Sequence, residues 1–147
     1  MMSLKKQQYY GHPRNAFWAI MATIVNIDLS LPYAARCTAL IAHHIAVFDV
    51  LKTCHRKGSL DQHIDTTSIK INDFRSLLQR YTSISHLFFN GGKAEQLFKR
   101  HALPLIQSSI EQTPNMQRLP STSPAYARMS FAQKQSRWAH ALAIALA

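Results

Sequence analysis

The segment QQYYGHPRNAFW, Gln7 to Trp18, sets Tyr9, Tyr10, His12, Arg14 and Asn15 on a short turn ahead of the apolar pair Phe17 and Trp18. Rings that stack, an imidazole, a guanidinium and a carboxamide that both donates and accepts are concentrated in one place. A second carboxamide, Asn90, closes the apolar run HLFFN and is followed by Gly91-Gly92. An Asn on such a rigid mount at a sheet rim can read the donor and acceptor edge of a purine or pyrimidine. The same residues also suit an Asx-type turn, in which the side chain only bonds its own backbone. A third segment, LPSTSPA, stiffens Ser121, Thr122 and Ser123 between prolines. Its hydroxyls and backbone N–H groups suit phosphate oxygens, although an ordinary strand-to-helix connection would read alike.

These groups sit in a chain of 147 residues, which predicts a single domain able to bury a sizeable core without disulfides. Seventeen Lys plus Arg stand against seven Asp plus Glu, a formal net charge of +10. That excess favours a polyanionic partner, nucleic acid or an acidic membrane surface, beside the plainer reading of general solubility. Cys37 and Cys54 are too few for a disulfide framework and suit a reducing cytoplasm. Lys5, Lys6 and Arg14 before AFWAIMATIV loosely imitate a signal peptide. The run is too short to span a bilayer and is followed at once by Asn26 and Asp28, so a core helix is predicted.

The positioning elements follow from periodicity and punctuation. Helices are predicted from Ala16 to Asn26, with Asn15 as a possible N-cap, and from Pro32 to about His43. IAVFDVL, Ile45 to Leu51, reads as a buried strand, followed by the basic loop KTCHRKG and a capping-box spacing at Ser59 and Gln62. Asn72 is expected to cap the helix NDFRSLLQRY. HLFFN is the next strand, KAEQLFKRH the next helix, and MQRLP a last short strand. Ser130 and Gln133 form a second capping box opening FAQKQSRWAHALAIAL. Strands alternating with helices predict an α/β fold with a parallel sheet covered on both faces, its ligands beyond the carboxyl ends of the strands. Walker, GxGxxG and GxSxG motifs are absent, and Cys37, His43, His44, Cys54 and His55 lack zinc-finger spacing. His43 and His44 suit a helix C-terminus instead.

Taken together, YYGHPRNAFW, FFNGGKAEQLFKRH and LPSTSPAYARMSF resemble, in order and spacing, the hypoxanthine-DNA (deoxyinosine) glycosylase branch of the uracil-DNA glycosylase superfamily. IAVFDVLKTCHRKGSLD and INDFRSLL resemble its intermediate strand, loop and helix, so the similarity covers nearly the whole chain. The resemblance implies a three-layer α/β/α sandwich around a short parallel sheet. It also implies an enzyme that extrudes a deaminated base and hydrolyses its N-glycosidic bond, hypoxanthine first and uracil second, in base-excision repair. In these terms Asn15 is the catalytic residue that orients a water, and Asn90 hydrogen-bonds the extruded base. Tyr9, Tyr10 and Phe17 form the stacking wall. His12, Arg14, Ser121, Thr122 and Ser123 touch DNA phosphates, and Tyr126 wedges into the vacated stack. No metal or organic cofactor is implied. A monomeric cytoplasmic protein acting on DNA with deaminated bases, and no membrane, is the expectation.

The sequence departs from the family at its start. Relatives begin with a buried strand and a Gly-Ser-x-Pro-Gly-like turn, whereas only MMSLKK precedes QQYY. The expectation is an N-terminally truncated domain over 1–147, either because the recorded start is internal to a longer gene or because the chain is a decayed or repurposed remnant. Phe48 replaces an expected Trp, and His44 an expected helix-ending Gly. The rival from another class is a basic nucleic-acid-binding protein without catalysis.

Overall fold

Turn chemistry and apolar periodicity place most elements of this chain, and the computed structural model describes residues 9–56 and 64–147, of which 52–56 and 64–69 as backbone only. In chain order these are α1 Phe17–Val25, α2 Tyr33–Ala42, β1 Leu51–Arg56, β2 Ile64–Ile71, α3 Phe74–Arg80, β3 His86–Asn90 and α4 Gly92–Leu97. A π turn, Phe98–Ala102, then leads to α5 Leu103–Gln107, β4 Asn115–Leu119 and α6 Phe131–Ala145. The chain forms two compact units, one from the residues up to Phe48 with Pro120–Ala147, the other Asp49–Leu119.

In the first unit α1 packs on α6, with the Phe17 ring edge-on to Trp138 at 6.0 Å. Ser130 and Gln133 close the capping box expected from their spacing: the Ser130 hydroxyl accepts from Gln133 N–H, and the Gln133 side chain accepts from Ser130 N–H at 2.8 Å. The α2 terminus is a Schellman turn. His44 N–H bonds Ile41 O, Ile45 N–H bonds Leu40 O, and His44 sits at φ 62° where glycine is usual. His43 Nδ1–H donates to Ala39 O at 2.9 Å, meeting the carbonyl end of the helix as foreseen.

The first expected strand, Ile45 to Leu51, departs from expectation. Residues 45–50 form no strand, and Phe48 is 49% exposed. Ile45 is committed to the α2 cap, while Asn72 fixes Val50 O through its N–H and Asp49 O through its amide. β1 therefore starts at Leu51, the last residue of the expected strand, runs on through the segment read as a basic loop, and pairs antiparallel with β2. Since Asn72 is spent on that clamp, α3 is capped by Asp73, whose carboxylate accepts from Ser76 N–H at 3.0 Å. The Ser59–Gln62 capping box lies outside the described residues.

β3 and β4 form the parallel pair of the α/β reading, with His86 opposite Asn115 and Asn90 opposite Leu119. Phe74, Leu78, Phe89, Phe98, Ala102 and Ile106 make the core under this pair. Phe98 is 1% exposed, so its truncation to alanine would cost about 3–5 kcal/mol. The π turn has a local cause. Pro104 has no N–H and would clash with the carbonyl four residues earlier, and Leu103 N–H reaches back to Phe98 O instead.

Candidate active site

Asn15 stands one residue ahead of the α1 cap position, on a turn that binds itself together. Its own N–H bonds His12 O at 3.0 Å, and Arg14 N–H donates to His12 Nδ1 at 3.1 Å, which leaves the proton of that ring on Nε2. Asn15 Oδ1 accepts from Phe17 N–H at 3.0 Å. This bond fixes the amide plane and satisfies one of the N–H donors that a helix start leaves open. The Nδ2 hydrogens and the second Oδ1 lone pair make no hydrogen bond among the described residues.

A cavity of about 250 Å³ is lined by Tyr10, His12, Asn15, Trp18, Leu29 and Arg36 among others, all of the first unit. Tyr10 sits at φ 58°, in the left-handed region that a bulky side chain rarely adopts. It is held there by its ring, which lies 4.1 Å from that of Phe17. Tyr9 anchors the other side: its N–H donates to the Tyr33 hydroxyl, and its carbonyl accepts from Trp18 Nε1. Burial raises the Tyr33 hydroxyl pKa, with the Tyr9 N–H acting in the opposite sense. Of the aromatic candidates, Tyr10 reaches the cavity wall. Phe17, 4% exposed, backs the Tyr10 ring from within the core.

The hydroxyl loop joins the same unit. Ala16 N–H donates to Thr122 O at 3.0 Å, and Thr122 is 1% exposed. Ser121 Oγ accepts from Ser123 N–H and Ser123 Oγ from Ala125 N–H, each at 3.2 Å, so the loop is internally laced. Trp138 Nε1 donates to Pro120 O at 2.9 Å. Tyr126 is half-buried, with the Lys134 ammonium 5.4 Å over its ring. Arg14 is exposed at the rim of the HPRN turn.

Asn90 belongs to the second unit. It ends β3, and the chain turns behind it at Gly91, whose φ of 95° needs glycine. Gly91 N–H is shared between Phe89 O and Leu119 O, both at 3.0 Å. The mount read from FFNGG is thus present at the carboxyl end of a parallel strand.

Two cations escaped sequence reasoning. Lys134 is 5% exposed, donates to Ser123 O at 3.1 Å, and has its pKa lowered by burial. Its signal was its place on the apolar face of α6, in step with Trp138, Ala141 and Leu142. Arg36 lies with its guanidinium carbon 4.6 Å over Trp18 and 5.8 Å over Tyr33, and the Tyr33–Arg36 spacing on α2 was the clue to it.

Comparison with known proteins bears on what such a site does. No protein-family model matches the chain. It is 31% identical over 141 residues to hypoxanthine DNA glycosylase of Methanosarcina barkeri, spanning 95% of this chain and 82% of that one. The hypoxanthine DNA glycosylase of Methanosarcina acetivorans is 33% identical over 137 residues, at 92% and 80%. Among solved structures, an NMR structure of a provisionally assigned uracil DNA glycosylase from Methanosarcina acetivorans superposes with a TM-score of 0.70 at 30% identity. It spans 94% of this chain and 82% of that one.

Proposed function

The chain belongs to the hypoxanthine-DNA glycosylase family of the uracil-DNA glycosylase superfamily, and from that premise we propose that it excises deaminated bases from DNA. Hypoxanthine is the first substrate and uracil the second, and the reaction is hydrolysis of the N-glycosidic bond in base-excision repair. The observation that carries this reading is Asn15, a carboxamide locked by Phe17 N–H on the wall of a cavity lined by Tyr10 and Trp18.

An extruded nucleotide costs a few kcal/mol of stacking and pairing, less at a damaged pair, which itself favours the deaminated base. A carboxamide is too weak a base to deprotonate water outright. Asn15 therefore orients the water, its free oxygen lone pair accepting a water proton and its Nδ2–H donating. Bond cleavage leans towards an oxocarbenium-like sugar, with charge on the departing base stabilised by fixed donors. Asn90 supplies such donors to the base, and its rigid mount behind β3 suits a reader that distinguishes an oxo from an amino group. Tyr9, Tyr10 and Phe17 provide the aromatic wall, Tyr10 directly and the other two as its support. Ser121 and Ser123 hold the phosphate backbone, with His12, Arg14 and Tyr126 beside them; Thr122, expected among these contacts, is buried at 1% exposure and braces the loop through Ala16 N–H instead. The enzyme acts as a cytoplasmic monomer.

The test is chemical. Duplexes carrying one deoxyinosine or one deoxyuridine are incubated with the protein, treated with alkali and resolved for strand breaks. Breaks at the modified position, lost in Asn15→Ala and Asn90→Ala, are expected. Binding without breaks would leave only a passive nucleic-acid-binding protein.

A further inference from the structure

We infer that Arg36 is an anion-holding residue of the Asn15 cavity, engaging a backbone phosphate oxygen of the strand that carries the extruded nucleotide. The inference deepens the glycosylase reading and rests on it for the identity of the ligand.

Three observations converge. First, Arg36 lines the same cavity as Asn15, yet its Nε is buried and has no hydrogen-bond partner among the described residues. A buried guanidinium N–H is seldom left unmatched, so an incoming acceptor is what this group lacks. Second, the guanidinium is held at the corner of two rings, Trp18 and Tyr33, which meet edge-on at 84°. The rings fix the cation at the cavity, and the parallel N–H groups of a guanidinium match two oxygens of one phosphate better than the single oxygen of a base carbonyl. Third, among the described residues no carboxylate lines the cavity. Asp28, next to the lining residue Leu29, is occupied by the Ser30 hydroxyl and N–H at 2.7 and 2.9 Å, which lower its pKa. The positive charge therefore has no counter-ion there among the described residues. A guanidinium placed near a developing sugar cation would oppose it, so the useful partner is a phosphate and not the reacting carbon.

The experiment is a salt titration of binding, by fluorescence anisotropy, to a duplex holding a tetrahydrofuran abasic analogue. Arg36→Met keeps the stem that packs on Trp18 and removes the charge; Arg36→Lys keeps charge without the fork. Losing one phosphate contact lowers the slope of log affinity against log salt by about 0.9. That decrease in Arg36→Met is expected, with partial recovery in Arg36→Lys. An unchanged slope in a normally folded Arg36→Met overturns the inference. So does a collapse of the excision rate at unchanged slope, which would put the contact on the base. If Arg36→Met fails to fold, single methylphosphonates are walked along the strand with the parent and Arg36→Lys. One flanking position should weaken the parent more than Arg36→Lys, and equal losses everywhere overturn the inference. Stabilisation of the parent by inorganic phosphate without any change in DNA slope counts against it too. Absence of excision by the parent, with the slope change intact, would instead sink the glycosylase reading alone.

Discussion

Ala16 N–H and Thr122 O, 3.0 Å apart, tie the turn that carries Asn15 to the loop of hydroxyls that follows β4. Segments distant in sequence are thereby registered by one backbone hydrogen bond, with the acceptor residue buried. Ala16→Pro deletes the donor. Loss of this bond to the buried Thr122 carbonyl is expected to cost about 0.5–1.5 kcal/mol, measured by urea unfolding. Excision is expected to fall more steeply than stability, because the turn that carries Asn15 loses its tie to the hydroxyl loop.

Asn15→Ala and Asn15→Asp separate the two roles of this side chain. The alanine variant loses the bond to Phe17 N–H and should unfold about 1 kcal/mol more easily. The aspartate variant keeps an oxygen there and places a carboxylate at a helix start, so its stability should match or exceed that of the parent. Both lose the Nδ2 donor. A fall in single-turnover excision of about 10²–10³-fold is expected in each, the scale for removing one fixed donor at a reacting centre. Full activity in Asn15→Asp would remove the carboxamide from the mechanism.

His44→Gly tests the cap of α2. The Schellman pair of bonds stays intact, while the left-handed strain of a residue with a Cβ disappears. A gain of about 0.5–1 kcal/mol is expected, which would raise the melting temperature by a few degrees.

Lys134 gives a pH dependence. Burial lowers its pKa from 10.5, so between that lowered value and 10.5 the unfolded chain binds more protons than the folded one. Folded stability due to this group therefore rises with pH through that window. Plotted as the difference between the parent and Lys134→Met, melting temperature should shift in favour of the parent as pH climbs towards 10.5. The opposing effect of Tyr33, whose pKa is raised, is common to both proteins and cancels. A flat difference would mean that the ammonium is solvated.

What sequence made legible was whatever is decided locally. The Ser130–Gln133 box, the β3 limits at His86 and Asn90, the histidine-terminated α2 and the Asn15–Phe17 turn are all set by neighbours a few residues apart. Ile45–Leu51 was misread because apolar content says nothing of prior commitments: Ile45 was taken by a helix cap and Asp49–Val50 by Asn72. The same long-range bond moved the α3 cap to Asp73. Arg36 and Lys134 were passed over for a related reason. A single cation on a largely apolar helix face looks like solvated surface until the rings that cover it are known.

The two tryptophans occupy different worlds. Trp138 is sealed in the α1–α6 core with its indole N–H on Pro120, whereas Trp18 forms part of the cavity wall beneath a guanidinium. The protein thus contains its own optical reporter. In a Trp138→Phe background, every photon emitted by indole comes from beside Asn15, and a duplex that fills the cavity would be seen as a change in emission without any attached dye.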